Sequence, residues 1–294
     1  MKISDKLNCA RPTLSFELFP PKVGMAIEPT CEVVHEIAKL NPDFMSVTYG
    51  AGGGNSKNTV AIADEMQNRC GITALAHMTC VMSDRKGIKE RLDTLYSLGI
   101  ENILALRGDI PKAFDGEPFS DYKYACDLVR DIKSDGRFCI GAACYPEGHI
   151  ECDHRELDID HLKNKVDCGV DFLTTQMFFD NTVLYSFLYR AMAKGIDVPV
   201  IAGIMPVTNG KQIARSCALS GATLPNRFRR IVDKFGDDPQ SMKQAGIAYA
   251  TEQIIDLVAN GIRGIHVYTM NKPDIAKAIC DNLSHIIGSG VAVE

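Results

Sequence analysis

Ionisable and amide side chains recur where short apolar runs of this sequence end. Glu17 lies inside TLSFELF and His77 inside TALAHMT, Arg107 and Asp109 follow NILAL, and Gln176 interrupts DFLTTQMFF. Carboxyl, imidazole, guanidinium and amide groups are the ones that proteins use to move protons and to bind polar ligands. If the runs are parallel strands of one barrel, these side chains converge at one mouth, where active sites are built.

Glu17 is the candidate general acid. It stands between Phe16 and Leu18 in an apolar run, so its carboxyl group points inward or towards an edge. Burial disfavours the ionised form of a carboxyl group, and a general acid must hold its proton near neutrality. The structural alternative is an ion pair of Glu17 with Lys22 or Arg107.

The other candidates have structural alternatives too. Asp109 could form a salt bridge with Arg107 at the rim of a barrel, and His77 could be a satisfied core histidine. Gln176 is more informative, because a barrel interior seldom keeps an amide unless something bonds to it. Three residues after the fifth run are each more typical of a surface than of a ligand site when taken singly: His149, Asp158 and Lys165.

A glycine cluster follows the second run, in SVTYGAGGGNS at 46–56. Gly50 and Gly52 match the first two glycines of the dinucleotide-binding pattern G-x-G-x-x-G, but the third falls on Asn55. The third glycine is needed for close helix–strand packing, so the match fails. The cluster instead predicts a loop where a ligand can approach the backbone, with N–H groups near a helix that starts at Ser56.

Two sequence periods alternate along the chain. Between the apolar runs lie segments with apolar residues three and four apart, such as 56–71, which ends at Gly71. Such a pattern predicts strands alternating with helices. The eight predicted strands are 13–19, 44–50, 73–79, 102–108, 138–145, 171–179, 198–205 and 264–270.

Eight strands that are each followed by a helix predict an α/β fold, a single (β/α)₈ TIM barrel. Several runs are apolar almost throughout, as parallel strands covered on both faces are. The long segment between strands seven and eight predicts extra helices at 209–220, 226–235 and 239–260. With no low-complexity linker, residues 1–294 are predicted to form one domain.

Composition argues against several classes of partner. The net charge is −5, with 32 basic and 37 acidic residues well mixed, so nucleic acid is not an expected partner. The densest basic run, RFRR at 227–230, is interpreted as a solvated helix face. The N-terminal segment lacks a signal-like apolar core, and no run approaches the roughly 18 apolar residues of a membrane span. We therefore expect a cytoplasmic protein that does not bind membranes.

The eleven cysteines never form a C-x-x-C pair. Zinc or iron–sulfur ligation lacks its usual spacing, so no metal is expected. Most of the cysteines are predicted to be small buried hydrophobic residues in a reducing compartment.

Eight segments, in this order and spacing, resemble the 5,10-methylenetetrahydrofolate reductases: SFELFPPK, SVTYGAGG, HMTC, LRGD, AACYPEGH, TTQMFFD, IAGIMPV and HVYTMNKP. The resemblance runs from about Ser15 to about Leu283, and the length is similar to that of the short bacterial enzymes. It implies a barrel that carries FAD and reduces 5,10-methylenetetrahydrofolate to 5-methyltetrahydrofolate, supplying methyl groups for methionine synthesis. NADH or NADPH would reduce the flavin and leave before the folate enters.

The resemblance also implies roles for individual residues. Glu17 would protonate the folate N10, and Asp109 would lie near the pyrimidine edge of the flavin and also engage the pterin ring. Gln176, Gln212 and Lys272 would contact the folate. FAD contacts fall on Thr48, His77, Arg107, Gly108, Asp109, Tyr124, Ala125, Tyr145, His149, Asp158 and Lys165. Among these, Arg107 and Lys165 would offset phosphate charge.

The sequence departs from the family pattern at three places. Lys272 stands where an arginine is frequent, so a point charge replaces a planar fork. His161 aligns with an asparagine that some relatives carry near FAD. The aromatic lid residue of some members has no counterpart around 215–217.

Two other functions remain open, and one assembly state is expected. A family member could receive its electrons from a partner protein instead of a nicotinamide. A non-catalytic barrel that binds folate or flavin is the other alternative, although Glu17 and Asp109 together argue against it. Flavin barrels of this kind often associate, so a homo-oligomer is expected.

Overall fold

The computed structural model describes residues 1–22, 24–49, 56–110 and 115–288. The glycine-rich loop predicted at 50–54 lies outside the described residues. The side chain of Ser56, where the following helix begins, is not described either.

Eight parallel strands close into a barrel in chain order, each hydrogen-bonded to the next, and the eighth to the first. The predicted single barrel is therefore confirmed. The strands are β1 Thr13–Leu18, β2 Phe44–Val47, β3 Ala74–Thr79, β4 Asn102–Leu106, β5 Cys139–Cys144, β6 Phe172–Thr175, β7 Val200–Ile204 and β8 Gly264–Tyr268.

The helices pack around the barrel, and several begin or end at capping residues. Asp84 and Asp180 accept a backbone N–H at the starts of the fourth and seventh helices, as N-caps do. The helices are α1 Ile3–Leu7, α2 Glu28–Ala38, α3 Ser56–Asp64, α4 Arg85–Ser97, α5 Ala125–Asp135, α6 Arg155–Asp167, α7 Asn181–Ala193, α8 Gly210–Ser220, α9 Asn226–Phe235, α10 Pro239–Ala259 and α11 Pro273–Leu283. Helical turns of π type, Glu65–Arg69 and Ser284–Gly288, continue α3 and α11.

Apolar burial explains the layers. Every residue of β1, β2 and β3 is buried, because one face meets the barrel interior and the other meets the helices. The main core lies between strands and helices. A smaller cluster fills the barrel near the amino ends of its strands and includes Phe44, Phe172 and Ile201, together with Ile3 and Leu7 of α1.

The three helices predicted between β7 and β8 are present as α8, α9 and α10. They form their own apolar cluster around Phe228. Phe228 belongs to the RFRR run and is 1% exposed, whereas the three arginines of that run are exposed. The interpretation of this run as a solvated helix face is confirmed. Gly246 of α10 lies against the backbone after β7, where an added Cβ would stand 1.8 Å from Val207 O.

Two details differ from the prediction. The sixth strand ends at Thr175 and not at 179. Gln176 N still donates to Cys144 O, but the Gln176 side chain then accepts from Met177 N, and the chain leaves the pairing with β5. The expectation that most cysteines are buried is wrong. All eleven are free, but only Cys80, Cys139 and Cys144 are buried, since the others lie on helices and loops outside the barrel wall.

Over the described ranges, no helix has both the length and the apolar content that crossing a bilayer requires.

Candidate active site

A cavity of about 1170 Å³ opens at the carboxyl ends of the strands. This volume lies at the upper end for small-molecule sites, so the cavity has room for a ligand as large as a dinucleotide. Thirteen of the fifteen predicted site residues line it: Glu17, Thr48, His77, Arg107, Gly108, Asp109, Tyr124, Ala125, Tyr145, His149, Asp158, Lys165 and Gln176.

Glu17 lies on the floor of this cavity. The residue is 9% exposed, and its Oε2 atom is 3.7 Å from His77 Nε2 and 3.9 Å from His266 Nε2. Neither distance is a hydrogen bond. The carboxyl group therefore faces two imidazole edges across short gaps, in a place that the bulk solvent barely reaches.

His266 is held by two hydroxyl groups in the barrel interior. Ser15 Oγ lies 3.0 Å from Ile265 O and 2.8 Å from His266 Nδ1. Because a carbonyl only accepts, the Ser15 hydroxyl donates to it, and Nδ1 then carries the proton that Ser15 accepts. Nε2 lies 3.1 Å from Ser46 Oγ. The two hydroxyl groups fix the His266 ring with its Nε2 edge turned towards Glu17.

His77 is the least satisfied member of the floor. Within the described part of the chain, its buried Nε2 atom has no hydrogen-bond partner. Burial lowers the pKa of His77 from 6.5 to about 4, an effect that the nearby Glu17 opposes and His266 reinforces. The alternative of a satisfied core histidine is therefore wrong. An unpaired buried nitrogen beside a carboxyl group is typical of a functional site.

Arg107 pairs with a residue that the sequence analysis did not single out. Its Nη1 and Nη2 donate to the two carboxylate oxygens of Glu151 at 2.5 and 2.7 Å. The alternatives that paired Arg107 with Glu17 or Asp109 are thus wrong. The two residues are 44 positions apart, so no local spacing could have indicated the pair.

His149 lies against Tyr145 on the loop after β5, with their rings edge to face at 4.6 Å. Its Nδ1 atom accepts the backbone N–H of Glu151 at 3.1 Å. Desolvation, followed by the charge of Arg107, lowers the pKa of His149 below 6.5. The ring is therefore neutral near pH 7, with its proton on Nε2.

Lys165 supplies a second cation to the cavity. Its Nζ donates to Ala143 O at 2.6 Å. Loss of hydration lowers the pKa of Lys165, while Cys144 and Asp158 oppose this effect. An ammonium group has three donors, and the one hydrogen bond to Ala143 leaves two to face a ligand.

Tyr268 and Gln176 also line the cavity. The Tyr268 hydroxyl donates to Thr175 O at 2.6 Å, and desolvation raises the pKa of Tyr268 well above 10.0. Gly203 makes room for this ring, because a Cβ there would stand 2.3 Å from the Tyr268 hydroxyl. Gln176 is half-buried beside them, its Oε1 accepts from Met177 N, and its amide nitrogen has no hydrogen-bond partner among the described residues.

Gly108 lines the cavity between Arg107 and Asp109. Its φ is +83°, and an added Cβ would lie 2.9 Å from Thr79 Cβ. Both features exclude a side chain. The glycine therefore lets the chain turn after β4 while it packs against the end of β3.

Two predicted substrate residues are not in the cavity lining. Gln212 is exposed on α8, and Lys272 is exposed with its Nζ donating to Thr208 Oγ1 at 3.1 Å. The lid positions 215–217 are likewise outside the lining, whereas His161 is part of it. Contact of Gln212 and Lys272 with a substrate stays a prediction.

The sequence model of the family described as methylenetetrahydrofolate reductase matches residues 2–284. The chain is 36% identical to the 5,10-methylenetetrahydrofolate reductase of Pectobacterium carotovorum subsp. carotovorum over 93% of this chain and 90% of that protein. The Escherichia coli K12 protein of the same name is 34% identical over 92% and 90% of the two chains. The protein belongs to the methylenetetrahydrofolate reductase family.

Other members and one solved structure extend this comparison. The Arabidopsis thaliana protein named methylenetetrahydrofolate reductase (NADH) 1 is 34% identical over 99% of this chain but 52% of its own length. A Clostridium thermocellum protein, described as binding two copies of 5-methyl-5,6,7,8-tetrahydrofolic acid, has the same fold with a TM-score of 0.63. It is 13% identical, over 95% of this chain and 96% of that one.

Family membership supports methylenetetrahydrofolate reduction as the activity, and folate as the substrate class. Among the described residues, no group of three or more His, Cys, Asp or Glu side chains is arranged to hold a metal ion.

Proposed function

We propose that the protein reduces 5,10-methylenetetrahydrofolate to 5-methyltetrahydrofolate with electrons that a bound FAD takes from NADH or NADPH. The two substrates use the cavity in turn. The observation that carries this proposal is the position of Glu17, a secluded carboxyl group on the floor of a cavity large enough for a flavin nucleotide.

The residues of the cavity fit FAD. Arg107 and Lys165 offer cationic donors suited to a diphosphate, and Gly108 lines the cavity next to Arg107. His77 Nε2 is a buried ring nitrogen without a partner in the described structure. Thr48, Tyr124, Ala125, Tyr145, His149 and Asp158 would complete the contacts. FAD, when bound, supplies hydride transfer between the nicotinamide and the folate.

Glu17 would act as the general acid of the folate step. Its proton would pass to N10 of the folate and open the five-membered ring to an iminium ion that can accept hydride. The Nε2 edges of His266 and His77 face the carboxyl group from two sides, at 3.9 and 3.7 Å. At these distances neither ring is hydrogen-bonded to Glu17, so its carboxyl group stays available to a substrate.

Asp109 would make the reduced flavin a better hydride donor. It is exposed and directly follows Gly108 in the cavity lining. A negative charge there disfavours additional negative charge on a reduced flavin and so favours hydride donation. Its carboxylate can also accept hydrogen bonds from the pterin ring.

Folate binding to this barrel is supported by two residues of the cavity lining, Gln176 and Tyr268. Gln176 offers an NH₂ group to the cavity, and Tyr268 lines it next to Glu17, its partner across the β1–β8 pairing. The Clostridium barrel of the same fold is described as binding a methylated tetrahydrofolate, and the plant relatives carry NADH in their names.

Anaerobic stopped-flow spectroscopy tests the proposal. The purified protein should be yellow, NADH or NADPH should bleach its flavin, and methylenetetrahydrofolate should restore the colour. A colourless folded protein would contradict the assignment of FAD. Flavin that neither nicotinamide reduces would indicate an electron-transfer partner instead, and bleaching without reoxidation by folate would indicate a different substrate.

A further inference from the structure

Glu151 contacts two of the proposed cofactor ligands at once. We propose that Glu151 is a positioning residue that presents Arg107 and His149 to the diphosphate of FAD. The inference rests on the proposed function and adds to it a residue that organises the anion-binding part of the cavity.

The side chain of Glu151 fixes the guanidinium of Arg107. Nη1 donates to Oε2 and Nη2 donates to Oε1, which is the bidentate geometry that holds a guanidinium in one plane and one orientation. The Arg107 side chain is 27% exposed and Glu151 57%. The hydrogen bonds lower the pKa of Glu151 and raise that of Arg107, so both stay charged near neutral pH.

The bidentate pair leaves most of the guanidinium available. A guanidinium has five N–H donors, and Glu151 takes two of them. The others stay free for a second anion. Without Glu151, the long Arg107 side chain would have to lose its rotamer freedom on binding, which weakens affinity.

The backbone of Glu151 fixes the second ligand. Its N–H donates to His149 Nδ1, so the imidazole proton resides on Nε2. A neutral ring held in this tautomer acts as a hydrogen-bond donor through Nε2, which is the role that contact with a phosphate oxygen requires. The Tyr145 ring packs against the same imidazole and limits its rotation.

Binding measurements on two variants test the proposal. Glu151→Gln and Glu151→Ala are compared with wild type as flavin-free protein, with FAD and with riboflavin, which lacks phosphates, as the probes. Quenching of flavin fluorescence gives each Kd. We expect the Kd for FAD to rise about tenfold in Glu151→Ala, and less in Glu151→Gln, while the Kd for riboflavin stays within about twofold.

The chain contains a matched control. Arg227 and Glu252 form the same two-pronged pair between α9 and α10, away from the cavity lining. Glu252→Ala removes an equivalent ion pair and should leave the Kd for both flavins unchanged. Thermal unfolding of all the variants establishes that they are folded at the temperature of the measurement.

Several outcomes would overturn the inference. An FAD affinity that is unchanged or higher in Glu151→Ala would mean that Glu151 is irrelevant to the diphosphate or competes with it. Equal losses for FAD and riboflavin would mean a general structural role. Nitrogen chemical shifts that place the His149 proton on Nδ1 would remove the second half of the argument. A wild-type protein that binds neither flavin would reject the proposed function itself.

Discussion

The two ends of the same barrel differ in what their strands present to the interior. At the amino ends, Phe44, Phe172 and Ile201 pack against Ile3 and Leu7 of α1. At the carboxyl ends, the interior widens into the cavity above Glu17. Most strands thus contribute packing at one end and polar groups at the other, and this division is typical of barrel enzymes.

The difference is also one of hydrogen bonding. Asn102, a buried polar side chain of the closed end, is bonded to Ile3 N, Met1 O and Ala74 O. The open end keeps an unpartnered nitrogen on His77 in the described structure and places Glu17 beyond hydrogen-bond distance of either imidazole. The closed end is therefore optimised for stability, whereas the open end keeps polar capacity for a ligand.

Glu17→Gln should give the largest effect and alter the open end alone. We expect folate-dependent reoxidation of the flavin to slow by about 10³-fold, because an amide cannot deliver the proton. Reduction of the flavin by nicotinamide should persist, since that step does not need the acid. Stopped-flow measurement of the two half-reactions separates these effects. Folate reduction at the wild-type rate would show that the acid lies elsewhere.

Phe172→Ala, at the closed end, should lower the stability of the protein and leave its catalytic rate nearly unchanged. Phe172 is fully buried, and its ring lies so close to Gly141 that a Cβ there would stand 2.4 Å from Cζ. Truncation leaves a cavity that costs about 3–4 kcal/mol of unfolding free energy. Urea unfolding measures the loss, and the rate per folded molecule should stay within about twofold. A large fall in that rate would mean that the two ends are mechanically coupled.

The sequence predicted the closed end and the strands well, because packing follows local patterns. Each predicted strand begins within two residues of the observed one, since β-branched and apolar runs mark where a strand enters the core. Seven of the eight predicted ends lie too far along the chain, most at Thr175, whereas the end of β3 at Thr79 was predicted correctly. Periodicity does not show where backbone pairing stops and a loop begins.

At the open end, strand patterns alone brought Glu17, His77 and Gln176 together, because the strand ends of a barrel converge. His149, Asp158 and Lys165, on the loop and helix after β5, were predicted as ligands only by the resemblance to a known family. Glu151 was missed, because its pairing with Arg107 depends on the path of a loop, and loop conformation is not encoded in a repeating pattern. The Ser15–His266–Ser46 contacts were missed for a related reason, since they need the register between β1, β2 and β8.

A smaller effect should appear when His77 is titrated at the open end. Its folded-state pKa of about 4 lies below the ordinary 6.5, so the unfolded chain binds more protons between these values. Stability that is complete above pH 6.5 is then lost as the pH falls towards 4, by about 3 kcal/mol. Urea unfolding of flavin-free wild type and His77→Gln between pH 7.5 and pH 4.5 measures it.

The His77→Gln curve should be flatter than that of wild type over this range. His285→Gln, which changes an exposed histidine far from the cavity lining, serves as the control and should follow wild type. If His77→Gln and wild type lose stability in parallel, His77 is not buried as a neutral ring. The unpartnered polar group attributed to the open end would then have to belong to another residue.

Asn102→Ala should have the smallest effect. It tests how far the stability of the closed end depends on the hydrogen bonds of the Asn102 amide. The substitution leaves Ile3 N without its partner at 2.8 Å and should cost about 1–2 kcal/mol. Because Ile3 and Leu7 hold α1 against the barrel through burial as well, the helix should loosen without unfolding the barrel. Trypsin cleavage after Lys6 should therefore accelerate more than global unfolding does. Asn260→Ala, on an exposed helix end, is the control. Equal acceleration of both processes would mean that α1 and the barrel unfold as one unit. The closed end would then owe its stability to α1 as much as to the strands.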